Sequence, residues 1–291
     1  DAKAAFAQGQ FKPLAANLGL GYSPHAVWLH LTISQDQPAT RWLEVMPPYL
    51  DALRLFHIAP DGLPQERRGG DRLPQSAKEE AYRGHLFKLD LQPGQHDVFI
   101  RLQTTSTLTA IVKLWQPRAF EQHLRGSYFG FGLYFSLILT VLLFNAANWL
   151  VSRRTIFLVY VGYLLINTVQ WHTTNGFTAE FLLPAQPELV NLTLGLLISL
   201  GAAMAWLFFM MIFEMKQYHP FVYRFSQFGI EFEIGQQITF IEQQHIRRRE
   251  HVRILERFIL AFGHRKDGDL VLFAQIKCCR ADQVADVFDQ K

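Results

Sequence analysis

GSYFGFGLYFSLILTVLLFNAANWL, running from Gly126 to Leu150, contains no Asp, Glu, Lys or Arg. Roughly 20 apolar residues in helical form cross the hydrocarbon core of a bilayer. This stretch is long enough, and its composition suits lipid on all sides rather than the one-sided stripe of a surface helix. Aromatic residues from Tyr128 to Phe135 and Trp149 near the other end match the belts that sit at membrane interfaces. The fold is therefore read from the membrane outward.

Beyond it, the only Asp, Glu, Lys or Arg residues up to Phe213 are Arg153, Arg154, Glu180 and Glu188, all of them between apolar runs. Two further spans are expected, at 156–172 and 189–213. The first is shorter and more polar toward its end, where Asn167, Gln170 and His172 require an interface or a neighbouring helix. The second carries Gly195, Ser199, Gly201, Ala202, Ala203 and Ala205, small residues that let another helix approach closely. The loop Val151–Thr155 holds two arginines and the loop Thr173–Glu188 holds no basic Lys or Arg. The positive-inside rule then places the first loop in the cytoplasm, the N-terminal region outside, and a tail at 214–291 inside. This predicts an integral membrane protein whose N-terminal β-domain lies outside the cytoplasm.

Residues 1–122 contain no apolar run of spanning length. In Ala26–Ile33, Val27, Leu29, Leu31 and Ile33 alternate with Trp28, His30 and Thr32, the period of a half-buried strand. Similar stretches occur at Arg41–Met46, Ala52–Ile58, Gly84–Leu91, His96–Gln103 and Leu108–Trp115, separated by Pro, Gly and Asp turns. Six strands predict a sandwich. The polar, glycine-bearing segment Gln65–Glu80 is expected to be an exposed loop; its glycines lack the spacing and the following Lys-Ser/Thr of a phosphate loop. The fold class is thus an all-β sandwich outer domain followed by α-helical transmembrane segments, with a partly helical tail.

The net charge of +3 and mean hydropathy of +0.06 give no concentrated basic surface, which sets nucleic acid aside. The two cysteines, Cys278 and Cys279, are adjacent, so neither a disulfide framework nor a zinc spacing is present. The start at Asp1, without Met or an apolar leader, is expected to reflect processing or truncation.

Several strings resemble one family, the bacterial seven-transmembrane receptors with diverse intracellular signalling modules, in the version with the second type of extracellular domain. They are Leu18–Ser23 leading into Val27-Trp28-Leu29, Arg41–Val45, Gly70-Asp71-Arg72-Leu73-Pro74, Phe99–Thr104, Gly126–Gly130, Leu143-Phe144-Asn145, Tyr160–Tyr163 with the preceding Arg153-Arg154, and Asn175-Gly176 before Phe181–Pro184. The resemblance covers roughly residues 11–223. It implies a jelly-roll similar to carbohydrate-binding modules, a seven-helix unit, and an output domain such as a diguanylate cyclase or histidine kinase. After Pro220 the chain departs from that pattern: no further convincing span, cyclase signature or kinase glycine box is visible. A helix over about 241–262 is expected in the tail. We hypothesise a reading-frame change there, which fails if no neighbouring frame encodes apolar spans.

Histidines at eleven positions show no ligand spacing, and no cofactor or metal is expected. Glu44, Asp51, Asp71, Glu79, Asp90 and Asp97 cannot be paired into a glycosidase site, and most lie near turns where acids are solvated. No Gly-x-Ser-x-Gly elbow or Cys/His pairing points to a nucleophile. By the resemblance, the outer domain takes a small-molecule or carbohydrate ligand. Trp28 and His30 share one strand face, Trp42 can share it, and Arg101 with Gln103, alternating against apolar Ile100 and Leu102, completes a candidate binding face. The preferred reading is a non-enzymatic receptor fragment that passes ligand binding through its helices. A membrane-anchored enzyme acting on envelope carbohydrate or lipid, and a structural subunit, stay open, as does a homodimer; lipid is the other expected partner.

Overall fold

The computed structural model describes residues 2–224 other than 10, 15, 16, 24 and 61, together with residue 226. The helix expected at 241–262 and the paired cysteines lie outside the described residues. The chain divides into two units, Asp1–Met215 and Lys216–Lys291; the first carries the β-domain and the long helices.

After a short helix α1 (Ala2–Ala7), eight strands follow: β1 (Leu18–Tyr22), β2 (Val27–Gln35), β3 (Ala39–Met46), β4 (Ala52–Ile58), β5 (Pro64–Gly69), β6 (His85–Leu91), β7 (Gly94–Gln103) and β8 (Thr107–Trp115). They form two antiparallel sheets in the orders β1-β8-β3-β6 and β2-β7-β4-β5, the strand order of a jelly roll. Between the sheets lie Leu43, Val45, Leu53, Leu55, Phe87, Leu89, Val98, Ile100, Leu102 and Leu108, with Val27, Leu29, Leu31 and Ile33 packed against them. Each is one half of a period-two alternation, so the opposite half of each strand faces outward.

Two strands depart from the sequence reading. β5 occupies residues expected to be loop, pairing Leu53↔Gly69 through Ile58↔Pro64. It reads as polar because it is an edge strand whose outer face meets solvent, and Pro64 stands at its start, where a missing N–H is tolerated. β1, at the far edge of the other sheet, is Leu-Gly-Leu-Gly-Tyr, too rich in glycine to show as a strand without its partner β8.

Helix α2 (Pro117–Ser152) begins nine residues before the expected span, with Pro117 at its first turn. Its early residues lie on the outer face of the first sheet, where Phe120 is buried with Tyr82 and Leu86 and packs against Trp42, Met46 and Trp115. A single rigid helix therefore links the β-domain to the apolar segment. Arg153, in the left-handed region at φ 53°, ends it. Two residues later α3 (Thr155–Thr174) turns back, and α4 (Pro187–Ile212) follows a π-helical turn at Thr178–Leu182. α3 packs against both α2 and α4.

By length and composition α2 and α4 can cross a membrane. Along α2 the large apolar side chains Phe129, Leu133, Leu137, Leu143 and Phe144 are more than half exposed. Such a surface needs lipid or further protein against it. α3 does not meet the same measure, because Asn167, Gln170 and His172 dilute its C-terminal half.

Candidate functional site

On the outer face of the second sheet, residues paired across strands stand in rows. One row is Trp28 (β2), Arg101 (β7), Arg54 (β4) and Arg68 (β5). The next is His30, Phe99, Phe56 and Glu66. Trp28 leans on Phe56, with ring centroids 5.7 Å apart, and Arg101 Nη2 donates to Gln103 Oε1 at 2.9 Å. His30 pairs with Asp97 at 2.9 Å and is covered by Phe6 of α1, 3.9 Å between centroids.

Four of the sequence candidates (Trp28, His30, Arg101 and Gln103) therefore share this face, while Trp42 does not. It lies on β3 in the other sheet and is half-buried against Phe120 at 6.1 Å. Alternation shows which face of a strand a residue occupies; it does not show which sheet the strand joins. That is why Trp42, which could have shared the face, stands in the other sheet.

Gln103 also opens onto a groove of about 670 Å³, lined by Tyr22, Ser23, Asp51, Ala52, Arg72, Gln103, Thr104 and Thr105. Its floor is ordered by Asp51, whose Oδ2 accepts from Arg72 Nη2 at 2.9 Å, Thr105 Oγ1 at 2.7 Å and Thr105 N at 3.0 Å. Tyr22 stands 81% exposed at the rim, a free aromatic face beside hydroxyl, carboxamide and guanidinium groups. Asp51 is the one carboxylate among these lining residues, and its hydrogen bonds hold the groove together.

From the groove, the segment Gly70-Asp71-Arg72-Leu73-Pro74 leads directly to the helices. Gly70 has φ +132°, and a Cβ there would collide with the Asp51 carbonyl oxygen, so only glycine brings the segment this close. Asp71 N donates to Leu50 O at 2.8 Å. The Asp71 carboxyl stands beside Asn191, in the second turn of α4, where both line one small cavity, and the Asn191 amide favours its charged form. Burial first, and then the Asp51 charge, pushes the Asp71 carboxyl up to about 6. Gln75 N donates to Pro184 O at 2.8 Å. One strip of backbone thus touches the groove with Arg72 and the membrane helices with Asp71 and Gln75.

Arg83 makes a second bridge. It is 7% exposed, with Nη2 donating to Ser127 Oγ at 3.0 Å and its guanidinium over Phe131 and Phe177 at 5.2 and 5.4 Å. Close to it, Tyr128 donates to Glu180 at 2.7 Å, fastening α2 to the turn before α4. Between the β-domain and the helices is a cavity of about 30 Å³, lined in part by Asp71, Gln75, Lys78, Arg83 and Asn191. Burial lowers the Lys78 pKa and drives His85 down to about 3, leaving its imidazole neutral to accept from Gly70 N at 3.3 Å. Asp71 Oδ1, Gln75 Oε1, Arg83 Nε and His85 Nε2 are enclosed without a protein hydrogen-bond partner. Incompletely satisfied buried polar atoms weaken an interface and suit it to rearrangement.

Glu44 and Asp71 correct the expectation of solvated acids near turns. Glu44 is 2% exposed and accepts from Tyr82 Oη at 2.6 Å and Trp115 Nε1 at 2.9 Å. The groove residues Tyr22, Asp51 and Arg72 escaped the sequence search for a site. The signal that was present, Gly70-Asp71-Arg72-Leu73-Pro74, pointed to a family and not to a contact.

Two family models match the chain: 7TMR-DISM extracellular 2 over residues 1–116, and 7TM diverse intracellular signalling over residues 127–233. They meet across the first turns of α2, and together cover most of the sequence. No curated protein matches it.

Proposed function

Since this chain belongs to the family of seven-transmembrane receptors with diverse intracellular signalling modules, a family of membrane sensors with an extracellular N-terminal domain, we propose that its groove binds a carbohydrate and that segment 70–75 passes the event to α4. The observation that carries the reading is the adjacency of Arg72, in the groove, and Asp71, which lines a small cavity together with Asn191 of α4. Tyr22 offers a sugar face a stacking surface, and Arg72, Gln103 and Thr105 offer hydroxyl partners. A ligand that draws Arg72 away from Asp51 alters the field on Asp71 and the contact it makes. Only its differential affinity for the two arrangements can be transmitted.

In this reading α3 is a third span, its polar residues turned to its neighbours; the membrane is the bacterial inner membrane, with residues 214–291 in the cytoplasm. The output is supplied by a signalling module such as those the family carries. The single groove carboxylate, already committed to Arg72 and Thr105, favours recognition over glycoside hydrolysis, which needs two acids flanking the bond.

The test uses the full chain in detergent with N-acetylglucosamine oligomers and other neutral envelope sugars, read by thermal shift and by amide exchange in α4. Stabilisation that Arg72→Ala abolishes, with changed exchange near Asn191, supports the reading. Stabilisation indifferent to both Arg72→Ala and Tyr22→Ala places the ligand elsewhere, and no response to any neutral sugar rejects the carbohydrate.

A further inference from the structure

Asp71 and Gln75 both line the small cavity between the β-domain and the helices, and each keeps one enclosed oxygen, Oδ1 and Oε1, that accepts from no protein donor. Gln75 is 8% exposed, and its Nε2 donates to Tyr82 O at 3.1 Å, which leaves Oε1 as the spare end of the amide. Its backbone N is held by Pro184 O, just before α4. An ionised carboxylate and an amide oxygen are both acceptors, so no hydrogen bond joins them. The cavity, at about 30 Å³, exceeds the ~10–15 Å³ that one water needs. A water there donates to both oxygens. A proton on Asp71 makes that water unnecessary, because the carboxyl O–H is then a donor and Gln75 Oε1 accepts from it.

We infer that this cavity is a proton-binding site, an acid sensor in which Asp71 and Gln75 share one proton and the β-domain closes on α4 when they do. Ionisation of Asp71 draws water into the cavity and loosens the junction; protonation expels it and replaces it with a direct bond. The groups facing Asp71 are Asp51 and Arg72 from the groove side, Lys78 from the segment before β6, and Asn191 from α4. Arg83 lines the same cavity, while His85 of β6 acts through Gly70 N and Glu180 of the π-helical turn through Lys78. Burial and the Asp51 charge outweigh the cations, so mild acid suffices to protonate the carboxyl. The matched domain is extracellular, so the proton reports the pH outside the cell. This input shares segment 70–75 with the proposed sugar response but needs no sugar, and either stands if the other fails.

The experiment titrates the full chain in detergent, without sugar, from about pH 8 to about pH 5, a range spanning the raised carboxyl and not an ordinary one. Two signals are followed: the infrared C=O stretch of a protonated carboxyl, and amide exchange over 187–194. Exchange in each variant is taken as a ratio to the parent at the same pH, which cancels the intrinsic pH dependence. The parent is expected to gain one protonated-carboxyl band that Asp71→Asn lacks. At about pH 8 the parent should exchange at least roughly threefold faster over 187–194 than Asp71→Asn, and at about pH 5 the two should be equal. Gln75→Met removes the acceptor that only the neutral acid uses, so the band's midpoint should fall by about one pH unit. Glu180→Gln leaves the Asp71 band in place. A band that survives Asp71→Asn, a midpoint unmoved by Gln75→Met, or titration of the band with no change over 187–194 overturns the inference.

Discussion

Arg83 Nη2, at the head of β6, lies 3.0 Å from Ser127 Oγ on α2. This bond joins residues 44 positions apart and ties the β-domain to the start of the apolar segment. Arg83 Nη1 also donates to Asn175 O at 3.4 Å, so the same side chain reaches the turn after α3.

Arg83→Ala removes these bonds and the contacts with Phe131 and Phe177. The expected loss is about 2 kcal/mol, from buried hydrogen bonds to a charged group and partly desolvated cation–π contacts. Arg83→Lys keeps the charge and loses the planar fork, so most of the loss persists. Denaturation of the detergent-solubilised chain, followed by tryptophan fluorescence, measures both; a Lys variant as stable as the parent rejects the geometric account.

Gly176→Ala attacks the same junction from the membrane side. Gly176 sits at φ +83°, and a Cβ there would overlap the Arg83 carbonyl oxygen. Alanine at an incompatible positive φ costs more than about 1 kcal/mol even without a clash. The expected outcome is faster amide exchange from Thr173 to Leu183, with strands of the β-core unaffected.

Glu44 holds the foot of α2 in place indirectly. Its two oxygens accept from Tyr82 and Trp115, and both rings pack around Phe120. Burial, then the bond to Glu44, raises the Tyr82 pKa. Glu44→Ala strands two buried donors and is expected to cost on the order of 3 kcal/mol. Glu44→Gln keeps one acceptor oxygen and should cost less. Equal losses in the two variants would show that cavity formation, rather than donor satisfaction, sets the cost.

The six strands with clean alternation were legible because each carries its own period: β2 shows Val27, Leu29, Leu31 and Ile33 without reference to any partner. β1 and β5 were not, because their partners β8 and β4 supply what their own side chains lack. The long apolar helices α2 and α4 were legible from charge depletion, but the unbroken run of α2 back to Pro117 was not, since Arg118, Glu121 and Arg125 belong to a helix face that leaves Phe120 buried. For the site, the row face was half visible in Trp28, His30, Arg101 and Gln103. The junction was invisible: Arg83 and Asn175 are 92 positions apart, and only folding brings them together.

Asp71 supplies the pH-dependent prediction. In the unfolded chain its carboxyl titrates near its ordinary value of about 3.9. In the folded chain, burial and the Asp51 charge push it up to about 6, against the opposing influence of Asn191, Arg72 and Lys78. The folded state therefore holds the proton more tightly. The resulting stabilisation is fully present below about pH 4 and is lost as pH rises through about 6. His85, driven down to about 3, acts in the opposite direction, removing stability as pH falls below its ordinary range. The whole-protein profile mixes the two, so the measurement is the difference between the parent and Asp71→Asn. The amide mimics the neutral acid and still offers Asn191 an oxygen. The variant should be more stable than the parent above pH 6, by on the order of 2 kcal/mol, and the gap should close by about pH 4. A gap independent of pH would mean that Asp71 is charged throughout, and its contact with α4 would then be an ordinary structural one rather than one that a shift of charge at Arg72 can loosen.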